Sequence, residues 1–347
     1  MNTFWEFLSA RYPNSTTSTR HYWHADSASE QTLSDCNITA LSQYGFVAVE
    51  GPDSSKFLQG QTTCDWRKID TEHAALGSYC NIKGRMVMSF IAGMQTSDAV
   101  LLRLHADTGD SACATLAKYI VFSKAKIRNA TAEYLAIGIC GKNARSQLIQ
   151  NIGIAPTASM TQVTDGKTVL VQLDDSGERF ECWTPAAGAI ELWTKLSAGA
   201  TVIDSTHWEA LNIAAGLGEI CSTTQDTFIP QMLNYHVIGG VSFNKGCYTG
   251  QEVVARMQYR GKLKRRLYRA KILRSETAFE HLPGADLFNG DGPQSIGNLV
   301  SAVSRGKETE LLAVLTEDAV SANDIHFANE PATLEILDLP YAIPSAK

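Results

Sequence analysis

The stretch 244–261, NKGCYTGQEVVARMQYRG, gathers side chains that can do chemistry. Cys247 is the central one, because a thiolate is both a nucleophile and a metal ligand. Thr249 and Glu252 stand in the S/T-x-x-E relation of a capping box, which predicts a helix from Gly250 onward. Val253, Val254 and Met257 would form its inward face, and Glu252 and Arg256 would pair across one turn. Cys247 then precedes a helix start, where backbone N–H groups and the helix dipole stabilise a thiolate. Lys245, two residues away, adds positive charge, and Gly246 and Gly250 permit a tight backbone. The plainer reading is a small cysteine packed in a turn.

A basic run follows. From Arg256 to Arg274 there are nine Lys and Arg and no Asp or Glu. Within it Tyr268, Ala270 and Ile272 alternate with Arg269 and Lys271, as on a half-buried strand. Such a run is either a solvated strand face or an anion site for a polyglutamate tail, a phosphate or an RNA backbone. His21 and His24 are close in sequence but sit in a polar segment and read as surface residues. The motifs of a serine hydrolase, a P-loop and a dinucleotide fold are absent.

Elements must position these residues, and the whole chain bounds them. Its 347 residues exceed what one core usually supports, so two or three domains are expected. A net charge of -6 argues against a protein that coats nucleic acid. No apolar run is long enough to span a bilayer. The first twenty residues lack the pattern of a secretory signal, and Glu6 counts against a transit segment. Eight scattered cysteines without a C-x-x-C pair suit a reducing cytoplasm.

Residues 1–40 are polar and patternless and read as an arm. Strands are expected at 46–51, 99–106, 124–130, 134–140, 168–173 and 179–185, with a hairpin over 76–94 turning at Lys83-Gly84. Helices are expected after Pro52 and at 110–122, 143–151, 186–198 and 207–220. The mixture implies an α+β fold with antiparallel sheets. Past 261 only strands recur, at 263–273, 295–303, 310–315 and 332–337, without a helix signal. The reading is an arm (1–40), α+β domains over 41–130 and 131–204, a segment at 205–260 that partly returns to the first, and an all-β barrel over 261–347.

KGCYTGQEVVAR, with FIPQ (228–231), WEALNIAAG (208–216), FLQGQTTCD (57–65), CNIKGRM (80–86) and KYIVFSK (118–124), resembles the YgfZ family, relatives of the glycine-cleavage aminomethyltransferase. The resemblance implies a three-domain aminomethyltransferase-like ring with a central pocket for tetrahydrofolate or a one-carbon derivative. It implies a role in iron–sulfur cluster synthesis or repair and, indirectly, in tRNA thio-modification. Partners would be iron–sulfur proteins or their assembly machinery, with no membrane. Folate contacts fall on Tyr44, Trp208, Gln231 and Arg256. The working thiol falls on Cys247 with Lys245, inside the motif Lys245, Gly246, Cys247, Tyr248, Thr249, Gly250, Gln251 and Glu252. Two departures stand out. Met88 and Ser89 occupy the place of an aminomethyltransferase carboxylate, and Ala214 replaces a glutamate. Neither Met nor Ser is a carboxylate acid or base. An accessory role is therefore expected, with an active aminomethyltransferase or demethylase as the alternative.

Overall fold

A computed structural model describes residues 3–18, 22–25, 33–273, 279, 281–290, 292–305, 307–322, 324–328 and 333–343. His21 and Arg274 lie outside them. The chain divides into two compact units, Met1–Gly60 with Asp65–Leu76 and Phe90–Trp208, and Gln61–Cys64 with Gly77–Ser89 and Glu209–Lys347.

The first unit holds helices α1 (Thr3–Arg11), α2 (Ser54–Gln59), α3 (Gly109–Ala117), α4 (Ala144–Ile152) and α5 (Ala186–Ser197). A six-stranded sheet runs in the order Gln162–Thr164, Val169–Gln172, Arg179–Pro185, Tyr134–Cys140, Asn37–Ala40 and Thr201–Val202. All its pairings are antiparallel except the last. In the five-stranded sheet, Tyr44–Glu50 lies between Ala99–His105 and Lys126–Asn129, and Met86–Thr96 and Ala75–Cys80 continue beyond Ala99–His105.

Strand alternation gives the six-stranded sheet two different faces. Phe180 and Cys182 join a fully buried core with Ile137, Ile139, Phe4, Leu8, Trp193 and Leu196. The intervening Arg179, Glu181 and Trp183 point the other way. There Trp183 lies edge-on to Phe46, with ring centroids 5.8 Å apart. A Cβ on Gly93 would come within 2.5 Å of that indole, so only glycine allows this approach.

The N-terminal residues are not an arm throughout. Phe4 and Leu8, one turn apart on α1, are fully buried, and Phe4 packs edge-on against Trp193 at 5.8 Å. One such pair in a Ser/Thr-rich segment is a weak periodic signal. Asn37–Ala40 likewise joins the sheet of residues 134–185, pairing with Tyr134–Cys140. His24, read as a surface residue, is partly buried and lies 3.1 Å from Asp204.

Helix α6 (Ser205–Ala214) carries the chain from the first unit into the second, which adds α7 (Gln251–Arg260) and α8 (Glu317–Ala322). Its curled, antiparallel half-barrel sheet runs Ile325–Phe327, Asp286–Asn289, Gly297–Arg305, Glu308–Thr316, Arg265–Leu273 and Glu335–Leu337. Ala270, Ile272, Leu287, Leu311, Leu315 and Phe327 fill its core. Helix α8 was not expected. It has six residues and buries only Ala319, too little to generate a pattern.

Candidate functional site

The cysteine motif sits on a fixed turn. Gly250 has φ +82° and caps α7 without a side-chain hydrogen bond. A Cβ there would lie 2.4 Å from the Asn81 carbonyl oxygen. Gly84, at φ +71° in the hairpin turn, would bring a Cβ within 2.8 Å of Val253. Two glycines thus let the hairpin turn and the start of α7 touch. The helix begins where the sequence indicates, but not through the expected capping box. The Thr249 hydroxyl donates to Gln61 Oε1 at 3.2 Å, and Gln251 Oε1 accepts the Tyr248 N–H at 3.3 Å. Gly250, not Thr249, is the residue that caps the helix. Glu252 and Arg256 are exposed and form no ion pair among the described residues.

Lys245 is buried, and its ammonium donates to the carbonyls of Thr62 and Cys64, each at 2.6 Å. It also lies 5.2 Å from the centre of the Tyr248 ring. Those bonds use two of its three donors to hold segment 61–64, which differs from the expectation that it supports the thiol. Burial pushes the Tyr248 hydroxyl well above its ordinary range. Cys247 itself is exposed. Of the other seven cysteines, six are buried and Cys113 is half-buried. Gln231 is buried and donates from Nε2 to the Val254 carbonyl at 2.7 Å, tying the turn Pro230–Leu233 to α7.

Tyr44 and Trp208 belong to the first unit. Their surroundings are polar and buried. Arg103 Nε donates to Glu181 Oε2 at 3.0 Å with both side chains fully buried. Trp183 Nε1 donates to the same oxygen at 2.7 Å. The Arg103 guanidinium lies 3.9 Å above the Tyr44 ring, and that of Arg179 lies 4.9 Å from Trp208. Thr39, Gly138 and Glu181 stand side by side across three strands. The Trp208 ring fills the space a side chain on Gly138 would take, since a Cβ would come within 2.7 Å of it. Burial pulls the Arg179 pKa down, and Tyr44 and Glu181 push it back up. The indole N–H of Trp208 and the side-chain amide of Gln43 are buried without a hydrogen-bond partner among the described residues.

Arg103, Arg179 and Glu181 were missed in the sequence. Their signal is a charge inside an otherwise apolar strand, as in AVLLRLH and RFECWTP. Met88 and Ser89, which the resemblance sets against an aminomethyltransferase carboxylate, are buried in Met86–Thr96. Ser89 Oγ accepts the Ile220 N–H at 2.8 Å and is thereby structural.

This fold is that of the glycine-cleavage aminomethyltransferases. Residues 3–206 match the family described as the GCVT N-terminal domain. The crystal structure of glycine cleavage system aminomethyltransferase T from Bartonella henselae superposes with a TM-score of 0.74, covering 96% of each chain at 16% identity, a likeness of fold alone. Two relatives are nearer in sequence. The tRNA-modifying protein YgfZ of Serratia proteamaculans is 34% identical over 314 residues, covering 89% of this chain and 94% of its own. That of Sodalis glossinidius is 34% identical over 310 residues, covering 88% and 93%. The chain belongs to the YgfZ family.

Proposed function

We propose that this protein is a folate-binding accessory factor in the synthesis or repair of iron–sulfur clusters. Through them it acts on iron–sulfur enzymes and on tRNA thio-modification, in the cytoplasm, with Cys247 as its working thiol. Its relatives carry the name tRNA-modifying protein. The observation that carries the reading is the exposure of Cys247 on a turn that Gly84, Gly250 and Lys245 hold rigid. A thiol so placed reaches a macromolecular partner without rearrangement. One thiolate cannot hold a cluster, so the remaining ligands come from a partner protein or a small thiol.

The folate part rests on the first unit's buried polar layer. A pterin edge alternates donors and acceptors, and the Trp208 N–H and the Gln43 amide offer complementary groups without another partner among the described residues. The faces of Tyr44 and Trp208 already carry the guanidiniums of Arg103 and Arg179. The Trp208 N–H and the Gln43 amide hold the ligand by its edge in this reading. Tetrahydrofolate, when bound, supplies a carrier for one-carbon units. The alternative, an active aminomethyltransferase or demethylase, lacks its carboxylate at Met88 and Ser89.

Two measurements test this. In a deletion strain, the Cys247→Ser protein should fail to restore iron–sulfur enzyme activity and tRNA thio-modification, and full restoration would refute the thiol role. Tetrahydrofolate should saturably change the tryptophan fluorescence of the purified protein, and Gln43→Leu should weaken that binding about tenfold. A wild-type protein that shows no saturation removes the folate part and leaves the thiol part standing.

A further inference from the structure

The basic run divides in two. Inside the strand Arg265–Leu273 its charges are neutralised by acids of the same unit. Arg266 meets Glu317 at 2.7 Å, Arg269 meets Glu310 at 2.6 Å and Lys271 meets Glu335 at 3.2 Å. Arg265, the strand's first residue, and Lys262 and Lys264 just ahead of it form no ion pair among the described residues, and neither does Arg85 of the hairpin turn. These four converge on one cavity of about 360 Å³ within the second unit.

Among the described residues, no Asp or Glu lines that cavity. Asp226 accepts from Asn81 at 2.6 Å, and Asp286 accepts from the cavity-lining Asn298 at 2.9 Å. Two of the four cations are oriented by main-chain oxygens, Arg85 by Thr227 and Arg265 by Ser295 at 3.1 Å. Each guanidinium has five donors, so most remain for a ligand. The rest of the lining is chiefly apolar, with Phe228, Met232, Met257 and Val314.

Four cations around one hollow repel one another, and a chain of net charge -6 has no general need for a basic patch. A bound anion removes the repulsion, and a concave wall of low dielectric strengthens its binding. Forked guanidiniums and point-charge ammoniums together suit a tetrahedral phosphate. The apolar lining calls for a flat organic body attached to it, because the soft thioethers of the half-buried Met232 and Met257 pack on planar groups. The volume lies within the roughly 300–1,000 Å³ of small-molecule sites. We infer that this cavity binds a nucleotide, its phosphate against Arg85, Lys262, Lys264 and Arg265 and its base on the Phe228–Met257 side. A free nucleotide and an unpaired nucleotide of an RNA strand present the same chemistry. The site is independent of the folate reading.

The test uses the full chain and two fluorescent probes, labelled AMP and a labelled five-residue single-stranded oligoadenylate, with pentaglutamate and inorganic phosphate as competitors. At least one probe should bind saturably. The double variant Lys262→Glu/Lys264→Glu should weaken it at least tenfold, while Lys68→Glu/Lys118→Glu, an equal charge change at exposed positions of the first unit, should leave it unchanged. Tighter binding of the oligomer assigns the site to RNA, and equal or tighter binding of AMP assigns it to free nucleotide. The inference is overturned if neither probe binds, if the Lys262/Lys264 variant binds like wild type, or if pentaglutamate or phosphate competes as well as unlabelled AMP. Tetrahydrofolate binding in the Lys262/Lys264 variant should stay at its wild-type value, which separates this site from the folate one.

Discussion

A thiol's usefulness depends on whether it can ionise and whether anything can reach it. Burial pushes Cys36, Cys113 and Cys140 up to about 11 and Cys80 up to about 12. Those thiols stay protonated at pH 8, whereas Cys247 is exposed. Native protein treated with iodoacetamide at pH 8 should therefore show one fast equivalent of alkylation. Cys247→Ser should abolish that phase, and a fast phase of the same size in the variant would mean that another thiol opens to solvent. The turn that carries Cys247 was legible in the sequence because its signal is local, a glycine on either side and a helix start just beyond. Arg103 and Glu181 were not. They lie 78 positions apart and acquire meaning only when two sheets face each other.

Elements were easier to read where their pattern was long. The hairpin over 76–94 corresponds to Ala75–Cys80 and Met86–Thr96, and the helix expected at 186–198 is Ala186–Ser197. What failed was short or set by one backbone angle. Helix α8 is too brief to repeat, and the capping box at Thr249 gives way because Gly250 is left-handed. That glycine joins two elements, since its Cα faces the hairpin carbonyl of Asn81 and leaves no room for a methyl group. Gly250→Ala should cost about 1–3 kcal/mol, measured as a lower urea midpoint, from the positive φ and the collision together. An unchanged midpoint would show that the hairpin turn moves away freely. The same variant should also blur the fast alkylation of Cys247, because the thiol would no longer sit on a single backbone.

Stability belongs to the molecule as a whole, and its dependence on pH follows from groups that folding shifts. Burial holds His236 below its ordinary value, and the charge of Arg266 adds to this. The folded pKa lies under the unfolded one, so the unfolded chain binds the extra proton first. The contribution of His236 is complete above about pH 6.5 and is lost as pH falls through the folded value. The melting temperature should accordingly drop between pH 7 and pH 5, and His236→Gln should flatten that drop. A variant that keeps the full slope would place the proton uptake elsewhere. Charge at this scale was only half visible in the sequence. The total of -6 and the run of nine cations can be counted, but which cations meet acids is decided by strand register, as Arg269 beside Glu310 illustrates.

The indole of Trp208 occupies the volume that any side chain on Gly138 would claim, a Cβ there lying 2.7 Å from the ring. The two positions are 70 residues apart, yet neither can change first without harm: a larger residue at 138 evicts the indole, and a smaller one at 208 opens a hole. They should therefore be inherited together. A lineage that gives up the tryptophan is free to give up the glycine, and one that keeps the tryptophan keeps the glycine.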